Sequence, residues 1–133
     1  MRDITISNRQ LMNIFKCACE GGIRYSSKTD TIVLVVNNTN AVRPNVWQGN
    51  VLSFAGRLEK TPGKLTGANK RLREFLENGK NIYLFEVNEP GKYEYCGKAS
   101  LNEPARMERL ATGEEYPVYS LLVDTDSPLP EAI

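Results

Sequence analysis

Thr31-Ile32-Val33-Leu34-Val35-Val36 is the stretch that decides the fold. β-Branched residues dominate it, it is too short for a free-standing helix, and Asp30 and the turn cluster Asn37-Asn38-Thr39-Asn40 bound it, so it reads as a buried strand. Val51 to Ala55 forms a second short strand, after a loop containing Pro44 and before a polar loop from Gly56 to about Leu65. Further on, Asn81 to Val87 and Lys92 to Leu101 flank Asn88-Glu89-Pro90-Gly91, with Pro and Gly placed as a turn needs them, which predicts a hairpin. Tyr116 to Val123 is the last strand, and Asp124 to Ile133, with two prolines in Ser-Pro-Leu-Pro, reads as a linker or frayed end.

Two helices frame these strands. Ser7-Asn8-Arg9-Gln10 has the capping-box form, and Leu11, Ile14, Phe15 and Ala18 make one apolar stripe, so a helix is expected from about Asn8 to Cys19, ended by Gly21-Gly22. A second is expected over Gly67 to Asn78, capped by Thr66 and closed by Gly79, with Ala68, Leu72, Phe75 and Leu76 on its buried face. Helix, two strands, helix, hairpin, strand is the order of an α+β domain whose curved, mostly antiparallel sheet is covered by the helices.

The chain has 133 residues, enough for one core, with 41% hydrophobic and 25% charged residues, ordinary globular values. One domain over 1–123 and a tail over 124–133 is the expected organisation. No apolar run is long enough to span a bilayer, and the polar start Met1 to Gln10 lacks the pattern of a secretory signal, so the expected location is the cytoplasm. Cys17, Cys19 and Cys96 cannot all pair, and a bridge between the first two would be strained on a helix, so reduced thiols are expected. With no histidine, three cysteines are too few for an ordinary zinc site, and neither a metal nor a cofactor is expected.

The lack of histidine also removes the Ser-His-Asp triad, the Cys-His dyad, the HExxH helix and the HNH nuclease centre. No acidic residue is followed two positions later by lysine, the pair that many metal-dependent nucleases use, and no glycine-rich phosphate loop occurs. The expectation is a binding domain and not an enzyme. Net charge is only +1, but Arg57, Lys60, Lys64, Lys70, Arg71, Arg73 and Lys80 face only Glu59, Glu74 and Glu77 in the same segment, a local excess of +4. Such a run suits a phosphate backbone, and equally a solvated helix face.

Six segments, in order and spacing, carry a resemblance: Gly21-Gly22-Ile23-Arg24-Tyr25-Ser26, Thr31 to Val36, Trp47-Gln48-Gly49-Asn50 through Gly56, Gly63-Lys64-Leu65 with Asn69-Lys70-Arg71-Leu72, Tyr83 to Val87, and Gly91 to Gly97. Together, over about Phe15 to Val123, they resemble the SRA-like domain found beside HNH nuclease domains in McrA-type, modification-dependent restriction endonucleases. The resemblance implies a PUA-like β-barrel with two flanking helices. It also implies binding of double-stranded DNA that carries a modified base, typically a modified cytosine, by base flipping in a restriction or phage-defence system, with cleavage left to a nuclease domain or subunit elsewhere.

A flipped base needs stacking faces, polar groups on its edge and a cationic rim. Trp47, Phe54, Tyr25 and Tyr95 are candidates for the first, and Asn50 and Ser26 for the second. Arg24, Arg57, Lys64, Asn69, Lys70 and Arg71 are candidates for backbone contacts. Each has a plainer alternative: Trp47 and Phe54 as core, Tyr93 and Tyr95 as a packed pair on one strand face, Asn69 as a helix brace. Arg24, read as a loop cation after two glycines, lacks an obvious structural job. Where the family commonly has Gly-Asp this chain has Gly49-Asn50, and Phe54, Ala55 and Lys64 also depart from the pattern, which bears on specificity. An RNA-binding PUA-like module and a protein-interaction domain with a degenerate pocket are the alternative readings.

Overall fold

The computed structural model describes residues 4–39 and 45–131. Asn40 and Pro44, expected in turn and loop, lie outside them. In chain order the elements are β1 (Thr5–Ile6), α1 (Asn8–Phe15), β2 (Ile23–Ser26), β3 (Thr31–Asn37), β4 (Val46–Gln48), β5 (Val51–Ala55), α2 (Gly67–Glu77), β6 (Ile82–Glu89), β7 (Lys92–Arg109) and β8 (Glu115–Asp124). The strands form one sheet in the order β2-β3-β6-β7-β8-β5-β4, with β1 paired to β7. Among the described residues β2 and β4 end that path, so the sheet is an open curved one and the expected barrel is not closed.

The strand the sequence marks most clearly, β3, lies next to the edge strand β2. β3 lies between β2 and β6 and pairs with β6 in parallel, Ile32 opposite Ile82 through Asn37 opposite Val87. A strand covered on both faces reads as a continuous apolar run, and Thr31 to Val36 are all buried. Because successive side chains point to opposite faces, β3 feeds two cores. Ile32, Leu34 and Val36 join Leu72, Phe75 and Leu76 of α2, with Leu52, Phe54, Ile82 and Leu84. Val33 and Val35 join Leu11 and Phe15 of α1, with Phe85, Val87 and Tyr95. One helix therefore covers each face, and full burial of a side chain such as Leu11 or Leu72 contributes about 1.5–3 kcal/mol.

Several elements differ from expectation, each for a local reason. The capping box of α1 forms as read, Ser7 accepting from the Gln10 N–H and donating its own N–H to the Gln10 side chain. The helix ends at Phe15 and not near Cys19, because Lys16 turns left-handed (φ 56°) and the carbonyls of Phe15 and Lys16 accept from the Thr29 and Ser26 hydroxyls instead of from a further helical turn. Cys17 and Cys19 thus lie beyond the helix. Thr66 sits at the N-cap of α2 but makes no capping bond, since its hydroxyl donates to Glu59 Oε1 at 2.7 Å. The turn between β6 and β7 is tighter than expected, Glu89 pairing with Lys92 around Pro90-Gly91, with Gly91 at φ 80°.

β7 runs eight residues past the expected Leu101, to Arg109. Register shifts between Leu101 and Arg106, where Pro104 has no N–H to give, bend it against β8. Short β1, β2 and β4 were not legible in the sequence. The segment after β8 folds back: Ser127 Oγ accepts from the Lys98 N–H at 2.7 Å, and Leu129 packs on the α1-side core. No helix of the described residues is long and apolar enough to cross a membrane.

Candidate nucleic-acid interface

β4 and β5 form a two-residue hairpin, Gln48 opposite Val51, with Gly49 at φ 62° in the first central position, where a type II′ turn wants glycine. The exposed Asn50 occupies the second position, and its carbonyl accepts from the Val123 N–H at 2.9 Å. The hairpin sets the half-buried Trp47 against the α2-side core. The indole N–H donates to Glu86 Oε2 at 3.1 Å, and Asn38 Nδ2 donates to the same oxygen at 3.1 Å. Glu86, 8% exposed, stands in β6 opposite Val36 on the α2 side of the sheet. A carboxylate this buried must be met by donors, and Trp47 is one of them.

Tyr25 and Phe54 complete the aromatic group on that face. Phe54 is core, 3% exposed, with its ring tip 3.9 Å from where a Cβ on Gly22 would stand. Tyr25 is half-buried, meets Phe75 edge-on at 5.8 Å, and carries the Arg71 guanidinium 4.0 Å above its ring. Arg71 is exposed, as are Lys70 and Arg73 on the same helix and Arg57, Lys60 and Lys64 in the loop before it.

That loop is held by buried carboxylates. Glu59, 5% exposed, accepts from Thr66 N (2.8 Å), the Thr66 hydroxyl (2.7 Å) and Asn69 Nδ2 (2.9 Å). Burial raises its pKa, but the bonds from Thr66 and Asn69 outweigh this and leave it below the usual carboxylate value. Glu115 accepts from Gly63 N at 2.7 Å and from Arg109 Nη2 at 2.8 Å, and its pKa is lowered first by Arg109 and then by Gly63. Asn69, 1% exposed, clasps the Arg57 backbone at both ends, accepting from its N–H at 2.9 Å and donating to its carbonyl at 2.7 Å. Gly56 is obligatory beneath it: a Cβ there would lie 2.6 Å from Asn69 Oδ1 and 2.8 Å from Pro117 Cγ.

The period of two divides the remaining candidates from this group. On β2, Tyr25 faces the α2 side, whereas Arg24 and Ser26 face α1 and are 4% and 1% exposed. Ser26 is no free edge group: its hydroxyl donates to Lys16 O at 3.0 Å and accepts from Thr29 N. Tyr95 belongs to the α1-side core, its hydroxyl 3.1 Å from Ser127 Oγ, and burial raises its pKa. Arg24 is not a loop cation but a buried strand residue, bonded to Gly21 O (2.9 Å) and Asn8 Oδ1 (2.7 Å). Asn69 likewise is a brace of the loop, with no open face for a phosphate. Glu86 stands outside the sequence candidates, although a lone acid inside Tyr-Leu-Phe-Glu-Val is a visible signal of a buried charge. Glu59 and Glu115 gave none, since their roles depend on partners that only folding brings near. Among the described residues no group of cysteine and acidic side chains is placed to hold a metal ion.

No family model matches the chain, and no curated protein does. Solved structures do. The DNA modification-dependent restriction endonuclease AspBHI aligns with a TM-score of 0.67 at 17% identity, over 90% of this chain and 38% of its own. The sulfur binding and SRA domains of ScoMcrA, complexed with phosphorothioated DNA, align at 0.64 and 12% identity, over 92% of this chain and 39% of theirs. The SUVH5 SRA domain in complex with hemimethylated CG DNA aligns at 0.70 and 16% identity, over 96% and 90%. The chain thus spans under two-fifths of the AspBHI and ScoMcrA chains and nearly the whole of the isolated SRA domain. With two helices on opposite faces of one open, curved sheet, this chain has the PUA-like fold of SRA domains.

Proposed function

We propose that this chain is a non-catalytic reader of double-stranded DNA carrying a modified base, with a modified cytosine as the favoured target and cleavage supplied by a nuclease domain or subunit outside it. The observation that carries the proposal is the fold likeness, over nearly all of this chain, to an SRA domain bound to hemimethylated DNA. AspBHI and ScoMcrA, which pair the same fold with other parts, support the restriction or defence setting.

The chemistry of the α2-side face is consistent with it. Turning a base out of the stack costs a few kcal/mol, which aromatic contact and phosphate neutralisation must offset. Trp47, fixed by its bond to Glu86, offers an indole of set orientation against the core cluster that holds Phe54, and Tyr25 with Arg71 forms a second stacked platform at the edge. Arg57, Lys64, Lys70 and Arg71 supply the cationic rim, and Asn50 at the hairpin tip is an adaptable donor and acceptor. Phe54, without a hydroxyl, gives the site an apolar wall, which favours a substituent on the base over a further polar contact.

The test is a duplex-binding titration of unmodified against cytosine-modified oligonucleotides of one sequence. Tighter binding of the modified duplex is expected, and equal affinity would sink the proposal. Trp47→Ala should remove the preference and leave a folded protein. If it unfolds the chain instead, Trp47 is core alone.

A further inference from the structure

On the α1 side, a cavity of about 350 Å³ is lined by Cys19, Glu20, Gly21, Gly22, Arg24, Val35, Asn37 and Tyr93. We propose that it is a phosphodiester-binding site with the Arg24 guanidinium as its cationic floor, and that it holds the DNA backbone beside the base that the opposite face receives. The proposal rests on the DNA-reading function above and adds where the backbone is gripped.

Three observations meet there. Arg24 is 96% buried and permanently charged, yet its hydrogen-bond partners are all neutral: the carbonyls of Gly21 and Ala18, Asn8 Oδ1 and the Tyr93 hydroxyl. Among the described residues no carboxylate pairs with it. Burying an unpaired cation is costly, and a bound anion removes that cost. Second, the donors are unevenly used. Nε and Nη1 are taken at 2.7–3.5 Å by Gly21, Asn8 and Ala18, whereas Nη2, with two hydrogens, has only the Tyr93 hydroxyl at 3.4 Å, and Tyr93 also lines the cavity. A guanidinium whose Nη2 has a second hydrogen beyond one long bond is suited to a phosphate oxygen. Asn37, whose side-chain oxygen accepts from Thr39, leaves its amide NH2 as a further donor in the wall.

Third, the place is right. β2 ends the sheet, and Gly21-Gly22 lead into it. Gly22 lines the cavity on one side while a Cβ on it would approach Phe54 on the other at 3.9 Å. A nucleic-acid strand lying over this edge would set its phosphate on the Arg24 side and its base on the Trp47 and Phe54 side. Glu20, exposed in the cavity wall, opposes an anion and tunes the site without closing it.

The test follows the backbone amides of Gly21, Gly22 and Arg24 by NMR in the whole chain, titrated with inorganic phosphate and separately with duplex DNA. Both are expected to shift these signals saturably, with Glu20→Gln tightening phosphate binding about twofold. Arg24→Gln should weaken binding of modified and unmodified duplexes alike, about tenfold, and lower the salt slope by about one. Should Arg24→Gln fail to fold, the wild-type and Glu20→Gln titrations decide. No saturable shift with phosphate overturns the site, even where the chain still prefers modified duplex and the reader function stands. Shifts with phosphate but none with duplex overturn its assignment to DNA.

Discussion

Neighbouring residues of β2 have opposite fates. Arg24 and Ser26 are drawn under α1 and hydrogen-bonded to backbone, while Tyr25 between them stays half-exposed beneath the Arg71 guanidinium. The same division runs through the whole sheet. The α1 face is centred on a core of Leu11, Phe15, Val33, Val35, Phe85, Val87 and Tyr95, tied at one margin by the returning segment at Ser127. The α2 face is as well packed at its centre, but its margin is aromatic and cationic, with Trp47 on a buried carboxylate and the basic loop on two more. The centre of one face is devoted to stability, with the Arg24 cavity only at its edge, and the rim of the other presents chemistry. A strand's alternation is enough to separate the two.

The contrast can be broken most severely from the α1 side. Phe85 is fully buried and contacts Phe15 and Tyr95 with ring centroids 5.9 and 5.3 Å apart, so Phe85→Ala should cost about 3–5 kcal/mol, read as a lower urea midpoint. Its effect on modification preference in the molecules that remain folded should be nil.

An intermediate effect is expected at the support of the basic loop. Glu59→Gln replaces an acceptor by a group whose NH2 faces the donors of Thr66 and Asn69, and about 1–3 kcal/mol of stability should be lost. The pH dependence sharpens this. Since the folded-state pKa of Glu59 is depressed, its contribution is present above the unfolded carboxylate pKa of about 4.5 and disappears as pH falls through the folded value. Acidification from about pH 4.5 down through the folded value should therefore destabilise the parent chain more steeply than the Glu59→Gln variant in parallel denaturation curves. A variant as acid-sensitive as the parent would remove Glu59 from this role.

The smallest change in stability is expected at the open rim. Arg71→Ala removes an exposed cation from the Tyr25 ring, at a cost of about 0.5–1 kcal/mol. Its binding phenotype should be larger than its thermal one: weaker binding to every duplex and a salt slope lower by about one, with the modification preference kept. Loss of the preference would move Arg71 from the backbone to the base.

What the chain determines by itself is local. The period and composition of Thr31 to Val36 and Val51 to Ala55, the capping box at Ser7, and the turn at Pro90-Gly91 all appear in the structure close to where they were read, because each depends on residues a few positions apart. So did the general architecture, through the ordered resemblance of six segments. Where α1 stops was not local, since Ser26 and Thr29, 10 and 14 residues on, take the Lys16 and Phe15 carbonyls that a longer helix would have used. The far half of β7 was hidden too: Asn-Glu-Pro-Ala-Arg is polar and broken by proline, and becomes strand only because β8 pairs with it through bulges. The candidate site was legible as a set of residue types, with Trp47, Phe54, Tyr25 and Arg71 all named. Its division was not. Which of Arg24, Tyr25 and Ser26 meets solvent depends on which side of the sheet each helix covers. That three acids, Glu59, Glu86 and Glu115, hold the site in place depends on contacts 7 to 52 residues apart. Such contacts exist only once the sheet has brought the two ends of the chain together.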